Sequence, residues 1–202
     1  MNLPNKLTIA RMFAIPIIII VYLIDGLREI SSTFNVQLLI ILIIFALASF
    51  TDFLDGKIAR KYNLVTNFGK FMDPLADKLL VITTLVAMSE LGIFKAFGVS
   101  MGFVTIIIIA RELAVTGLRT LAADDGIVIA AKGLGKFKTV TQMTMIIYVL
   151  AINMFIPSID GTIKDIITLV LVSLATVMTI ISGVDYFVSY LKEIKLNKTK
   201  QN

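Results

Sequence analysis

The chain has 202 residues, of which 57% are hydrophobic and 16% charged, with a net charge of +5. A soluble domain of this length cannot hide so much apolar surface, so the composition predicts a multi-pass membrane protein. Cysteine and histidine are both absent, which excludes disulfides, thiolate metal sites and a Cys nucleophile, and leaves acid–base chemistry to carboxylates, lysines, tyrosines or a metal-bound group.

In chain order, LPNKLTIARM alternates apolar and polar positions at helical spacing and reads as an amphipathic interfacial helix feeding the first apolar run. Six apolar segments follow, at about 12–24, 36–54, 74–93, 97–118, 139–157 and 166–190, each near the roughly 20 residues a bilayer core requires. Pro16 lies within the first segment and Pro74 at the start of the third, where each would bend or begin a helix. No small-residue cleavage site follows the first run, so no cleavable signal peptide is expected. Linkers and low-complexity tracts are missing, so residues 1–202 are expected to form a single domain. The predicted fold is an all-α integral membrane protein, six transmembrane helices preceded by an N-terminal amphipathic interfacial helix.

Charge orients this bundle. Sixteen of the 19 Lys and Arg residues fall on one side of the predicted spans, and only Arg28, Lys95 and Lys164 on the other. The positive-inside rule then places both termini and the 2–3 and 4–5 loops in the cytoplasm of a cell-membrane protein. The same distribution points to membrane lipids as the partner of the basic surface, including the tail KEIKLNKTKQN, and not to nucleic acid.

The stretch TDFLDGKIARKYNLVTNFGKFMDPLADK, residues 51–78, breaks the lipid-like pattern with four aspartates on that basic side. Asp52 and Asp55 are three apart, Asp73 and Asp77 four apart, so each pair shares one helix face. Two antiparallel helices joined by the 61–68 loop could aim both pairs at a common point. Four charges inserted there would cost up to about 10 kcal/mol at mid-membrane, and a compensating cation is the obvious remedy. Hard carboxylate oxygens favour Mg²⁺ or Mn²⁺, and a four-carboxylate cluster suits two such ions acting on phosphoryl groups. Gly56 and Gly69 leave room for close approach, and Arg60 offers a fork suited to phosphate. The alternative, aspartates that merely cap helix ends, could apply to Asp73 before Pro74. It does not suit Asp52 and Asp55 near the end of a span, where the helix dipole disfavours anions.

The pattern Asp52-x-x-Asp55-Gly56-x-x-Ala59-Arg60, eight residues, then Gly69-x-x-x-Asp73-x-x-x-Asp77 resembles the full signature of the CDP-alcohol phosphotransferases. Eight fixed positions, each met about one time in twenty, make a chance match on the order of 10⁻¹⁰. The resemblance runs along the whole chain. It implies six helices with an amphipathic N-terminal helix, a cytoplasmic site, a homodimer, and transfer of a phosphatidyl or related group from a CDP-linked donor to an alcohol, releasing CMP. It further implies that Asp52, Asp55, Asp73 and Asp77 hold two divalent ions and that Asp77 is the catalytic base. Gly56, Ala59, Arg60 and Gly69 would bind CDP-diacylglycerol. Asn5 and Thr8, in a polar pattern with Arg11 typical of the start of family members, would line the nucleotide pocket or else anchor the amphipathic helix.

NLPNKLTIAR, FGKFMDPLADKLL, ARELAVTGLR and GLGKFKT resemble the branch of that family whose acceptor is glycerol 3-phosphate. The cations agree: Arg111, Arg119, Lys136 and Lys138 beside a metal site exceed the need of a neutral alcohol and suit a phosphorylated one. Ordinary flanking or lipid attraction could also explain either lysine, and a local ion pair with Glu112 could explain Arg111. Phosphatidylglycerol, giving cardiolipin, or inositol phosphate are the alternative acceptors. A membrane prenyltransferase would usually have its Asp motifs further apart. A transporter built on inverted repeats would need a second Asp cluster, which the latter half lacks.

Overall fold

A computed structural model describes residues 2–28, 35–61, 66–124, 133–155 and 161–201; the side chains at 3–4, 28, 53–61, 67–68, 70, 124 and 195–201 lie outside the described residues. The described residues form six α-helices: α1 (Leu3–Leu23), α2 (Val36–Lys61), α3 (Asn67–Glu90), α4 (Gly102–Asp124), α5 (Gly133–Met154) and α6 (Gly161–Gln201). A short 3₁₀ turn (Asp25–Arg28) follows α1, and a hairpin of two-residue strands, β1 (Lys95–Ala96) and β2 (Val99–Ser100), precedes α4. The hairpin pairs Lys95 with Ser100 and Ala96 with Val99. Its two turn residues, Phe97 and Gly98, both have positive φ, as a tight antiparallel connection requires. The Phe97 N–H donates to Asp165 Oδ2 at 2.8 Å, tying the hairpin to α6.

Helix α1 packs on α2 and α3, α2 also on α5, and α6 on α4 and α5. Between them lies a core including Ile18, Ile41, Phe45, Leu80, Leu85, Met88, Met145 and Ile146. Large apolar side chains also cover the outside: Phe13 and Ile20 on α1, Ile106 and Leu113 on α4, Val140 on α5, and Val170, Val177 and Val184 on α6 are all exposed. Polar groups run through the inside instead. Buried Gln142 donates to Thr179 Oγ1 at 2.9 Å, joining α5 to α6, and buried Thr84 returns its hydroxyl to Leu80 O at 2.8 Å. An apolar exterior around satisfied polar links is the arrangement of helices packed in lipid. Among the described residues three helices are long and apolar enough to cross a bilayer, over Asn5–Leu23, Gly133–Met154 and Gly161–Ile194, and Val36–Asp52 is a shorter apolar stretch. The protein is an all-α membrane protein.

Several expected boundaries move. The amphipathic segment and the first apolar run are one continuous helix, α1, with Pro16 inside it. Pro74 does not begin α3; that helix starts seven residues earlier, at Asn67. Thr66 caps it, its Oγ1 accepting from Gly69 N–H at 3.0 Å. Asp52, Asp55, Asp73 and Asp77 therefore all lie inside helices, which removes the capping explanation. Helix α6 has 41 residues and a length of about 60 Å, twice the thickness of a bilayer core. Part of it must therefore project beyond the apolar layer.

The buried Gln37 of α2 closes the end of α1. Its Nε2 donates to Val21 O at 3.0 Å and Tyr22 O at 2.8 Å in the last turn, where carbonyls lack a following helical N–H; Val21 O also accepts from Ile24 N–H at 3.3 Å. Gln37→Leu is expected to cost about 1–3 kcal/mol, read as a lower thermal midpoint of the detergent-solubilised protein. An unchanged midpoint would mean that these carbonyls find other partners.

Candidate active site

Three polar residues on successive turns of α1 reach the aspartate-bearing segment. Asn5, Thr8 and Arg11 are all buried. Asn5 Oδ1 accepts from the Thr66 hydroxyl at 2.8 Å, just before α3. The Thr8 hydroxyl donates to Asp73 Oδ1 on α3. Arg11 Nη1 stands 2.5 Å from Asp52 Oδ1 on α2. One face of α1 thus holds the start of α3, the third aspartate and the first. Burying Arg11 in an apolar bundle requires such a counter-ion, and Asp52, about one-third exposed, supplies it.

Gly69 belongs to the same contact. A Cβ there would stand 3.3 Å from Thr66 Oγ1 and 3.4 Å from both Asn5 Oδ1 and Asp73 Oδ2. The close approach of these three oxygens is the local reason for glycine.

Beside this seam opens a cleft of about 490 Å³. Asp52 and Asp77 form one part of its wall, and Lys78, Arg111, Arg119, Lys136 and Lys138 contribute cations around it. All four cations expected to surround a phosphate, Arg111, Arg119, Lys136 and Lys138, therefore face one space with two of the aspartates. Asp73 sits to the α1 side, within electrostatic range of Asp52, as is Asp77. The side chains of Asp55, Gly56, Ala59 and Arg60 lie outside the described residues, although their backbone continues α2. Among the described residues no three carboxylates close on a single point. Their chemistry nonetheless fits a hard divalent cation, since Asp52, Asp73 and Asp77 offer oxygen donors only and repel one another.

The cations are not equivalent. Glu112, buried on α4, accepts from Lys138 Nζ on α5 and from Arg111 Nη1 at 3.3 Å. Arg111 Nη2 donates across to Ser182 Oγ on α6 at 2.8 Å. The close approach of α6 is possible because residue 183 is glycine; a Cβ there would stand 3.1 Å from Arg111 Cγ. Arg119 lies over the Tyr186 ring, 5.5 Å from its centroid. Lys136 is exposed at the rim. Lys78, on α3 next to Asp77, contacts the Thr116 hydroxyl of α4. Sequence reasoning considered Glu112 only as a local partner of Arg111, and it assigned no role to Lys78, Thr116, Ser182 or Tyr186. The signal available for Glu112 was a lone carboxylate directly after IIIIAR, where an isolated charge in an apolar helix demands a partner.

Glu112→Gln is expected to lower the thermal midpoint of the purified protein by an amount equivalent to about 3–5 kcal/mol, because Lys138 loses its buried counter-charge. The double variant Glu112→Leu with Lys138→Met should recover most of that loss. Additive destabilisation of the two changes would show that the pair is not coupled.

Residues 1–184 match the CDP-alcohol phosphatidyltransferase family. The chain is 42% identical over 190 residues to the CDP-diacylglycerol--glycerol-3-phosphate 3-phosphatidyltransferase of Bacillus subtilis, covering 92% of this chain and 93% of that protein. It is 34% identical over 193 residues to a probable phosphatidylglycerophosphate synthase of Mycobacterium tuberculosis, covering 96% and 83%. To a CMP-forming cardiolipin synthase of Oryza sativa it is 36% identical over 182 residues, covering 86% of this chain and 53% of the rice protein.

Proposed function

The chain belongs to the CDP-alcohol phosphatidyltransferase family, and from that premise we propose that it transfers the phosphatidyl group of CDP-diacylglycerol to sn-glycerol 3-phosphate, releasing CMP. The observation that carries the acceptor is the cleft, where five cations stand around Asp52 and Asp77. A neutral alcohol needs no such field, whereas a phosphorylated one is held by it. The Bacillus subtilis relative bears the name of this reaction over nearly the whole length of both chains.

Asp52, Asp55, Asp73 and Asp77 would hold two Mg²⁺ or Mn²⁺ ions, whose charge, when bound, offsets that of the donor pyrophosphate and of the departing CMP. Asp77 faces the cleft and takes the proton of the acceptor C1 hydroxyl. The hydroxyl oxygen forms its bond to the β-phosphorus as the bond from that phosphorus to the CMP oxygen breaks, and CMP leaves with the electron pair. Asn5, Thr8 and Gly69 form the α1–α3 seam beside Asp73, and in this reading they would lie beside the nucleotide end of the donor. Gly56, Ala59 and Arg60 complete that donor side by family resemblance. Arg111, Arg119, Lys136 and Lys138 face the acceptor, while the acyl chains stay in the bilayer. Family resemblance also supports a homodimer.

In this reading all six helices cross the membrane, with both termini and the cleft toward the cytoplasm. Helices α3 and α4 carry most of their charges toward the cleft, with Glu90 at the far end of α3, which lowers their apolar character without shortening them. A cysteine-free chain makes the orientation easy to test. Gly133→Cys should label from the cytoplasmic side and Ser100→Cys from the outside of intact cells; the reverse pattern would overturn the orientation.

The decisive experiment offers labelled CDP-diacylglycerol to the purified protein with glycerol 3-phosphate, glycerol, inositol phosphate or phosphatidylglycerol. Efficient product formation is expected only with glycerol 3-phosphate. EDTA should abolish it, and Mg²⁺ or Mn²⁺ should restore it. Preferred use of phosphatidylglycerol would make the protein a cardiolipin synthase instead, and full turnover in EDTA would remove the ions from the mechanism.

A further inference from the structure

Of the five cations that line the cleft, three are already held by neighbouring side chains. Arg111 is divided between Glu112 and Ser182. Lys138 is held by Glu112. Arg119 lies over Tyr186, and Lys136 is exposed at the rim. Lys78 differs from all of these. Its ammonium is half-buried, and its contact among the described residues is a neutral hydroxyl, Thr116 Oγ1. That hydroxyl is itself committed, because it donates to Glu112 O at 2.6 Å. An ammonium has three N–H donors. Thr116 takes one, and among the described residues no carboxylate forms an ion pair with Lys78.

Charge placed against an apolar bundle without an opposite charge is costly. Arg11, Arg111 and Lys138 each have a carboxylate beside them. Lys78 has Glu112 and Asp77 within electrostatic range but makes an ion pair with neither, and it borders the open cleft, whose lining also includes Val115, Val140 and Met143. Its unmet donors therefore call for an anion delivered from the cleft. Its place in the sequence says which part of the reaction that anion belongs to. Lys78 directly follows Asp77, and neighbouring residues on a helix point about 100° apart. A ligand whose hydroxyl lies at Asp77 can present a second group, displaced along its carbon chain, to Lys78.

We propose that Lys78 binds the phosphate of the acceptor and so determines the preference for a phosphorylated alcohol, with Thr116 holding its ammonium in position. This rests on glycerol 3-phosphate being the acceptor. The contact is charge-assisted and lies on the same helix as the base. Binding the phosphate at Lys78 therefore also fixes how far the reacting hydroxyl stands from Asp77. An uncharged acceptor lacks that second point of attachment and is free to tilt away from the base.

The donor also carries phosphate, so the test separates the two substrates. Lys78→Met and Lys78→Arg are purified beside the unaltered protein, and initial rates are measured with CDP-diacylglycerol and glycerol 3-phosphate titrated separately. Loss of one charge-assisted contact is expected to raise the glycerol 3-phosphate KM of Lys78→Met about 10- to 100-fold. The donor KM should move by less than about threefold, and the advantage of glycerol 3-phosphate over glycerol should fall by the same factor as the acceptor KM rises. Lys78→Arg should recover part of the loss. Thr116→Val, which keeps the cation but frees it, should shift the acceptor KM the same way by a smaller factor. Equal increases in both KM values would assign Lys78 to the donor pyrophosphate and overturn the proposal. So would a lowered thermal midpoint with both KM values unchanged, which would make Lys78 a tie between α3 and α4. Failure of the unaltered protein to use glycerol 3-phosphate would overturn the acceptor itself, and no variant is needed to see it.

Discussion

The packing of this bundle depends on matching charge across helices at one end of an apolar layer. Lipid removes the hydrophobic drive that would press helices together in water, so association rests on close packing and on polar bonds between helices. Here those bonds gather around the aspartates. Arg11 of α1 meets Asp52 of α2, and Thr8 of α1 meets Asp73 of α3. Lys78 joins α3 to α4, Lys138 joins α5 to α4, and Arg111 joins α4 to α6. Every helix takes part in at least one such bond. The groups proposed to carry the chemistry are therefore the same groups that join the helices, so that loosening the site would loosen the bundle.

The opposite end is held by different means. There Gln37 closes α1, Asn35 N–H donates to Met154 O at 2.8 Å, and the hairpin is fastened to Asp165. These are neutral or single contacts, and the cavity described at that end is lined by apolar side chains, Thr83 and one charged residue, Glu90. The contrast gives the molecule a direction: an apolar body, one plain end and one end that concentrates carboxylates and cations. A substrate with two acyl chains and an anionic head fits that division without leaving the bilayer. Its chains match the apolar exterior, and its pyrophosphate reaches the charged end.

Much of this was legible in the sequence, for reasons that differ from residue to residue. Spacings of three and four place the aspartates on common helix faces wherever the helices begin, and the structure does set those aspartates inside α2 and α3. The four cations of ARELAVTGLR and GLGKFKT lie on two different helices, α4 and α5, yet they face one cleft. Helix ends were less legible, because an apolar run marks the part that suits lipid and not the part that is helical. Pro74 read as a start since proline favours the first turn. The true start depends on the Thr66 cap and on Asn5, a partner 61 positions away. The roles of Lys78 and Glu112 are hidden from the sequence for the same reason. What distinguishes Lys78 is a neutral partner on α4, and what distinguishes Glu112 is a cation on α5. Neither relation has a trace in local spacing.

Glu112 raises the remaining question, why a site that collects anions should bury a carboxylate among its cations. Without it, Arg111 and Lys138 would face each other in a poorly hydrated wall, and each would weaken the other's hold on charge. Glu112 accepts from both, fixes their positions, and turns two mobile cations into a rigid part of the cleft. Its backbone carbonyl also takes the Thr116 proton, so the same residue orients the hydroxyl on which Lys78 rests. The carboxylate thus lowers the net positive charge while raising the order of what remains. For transfer between two anionic substrates, order is the scarcer property, since bulk positive charge attracts phosphate anywhere along a basic surface. In the proposed reaction, only fixed donors at a fixed distance from Asp77 would turn that attraction into a hydroxyl aimed at phosphorus.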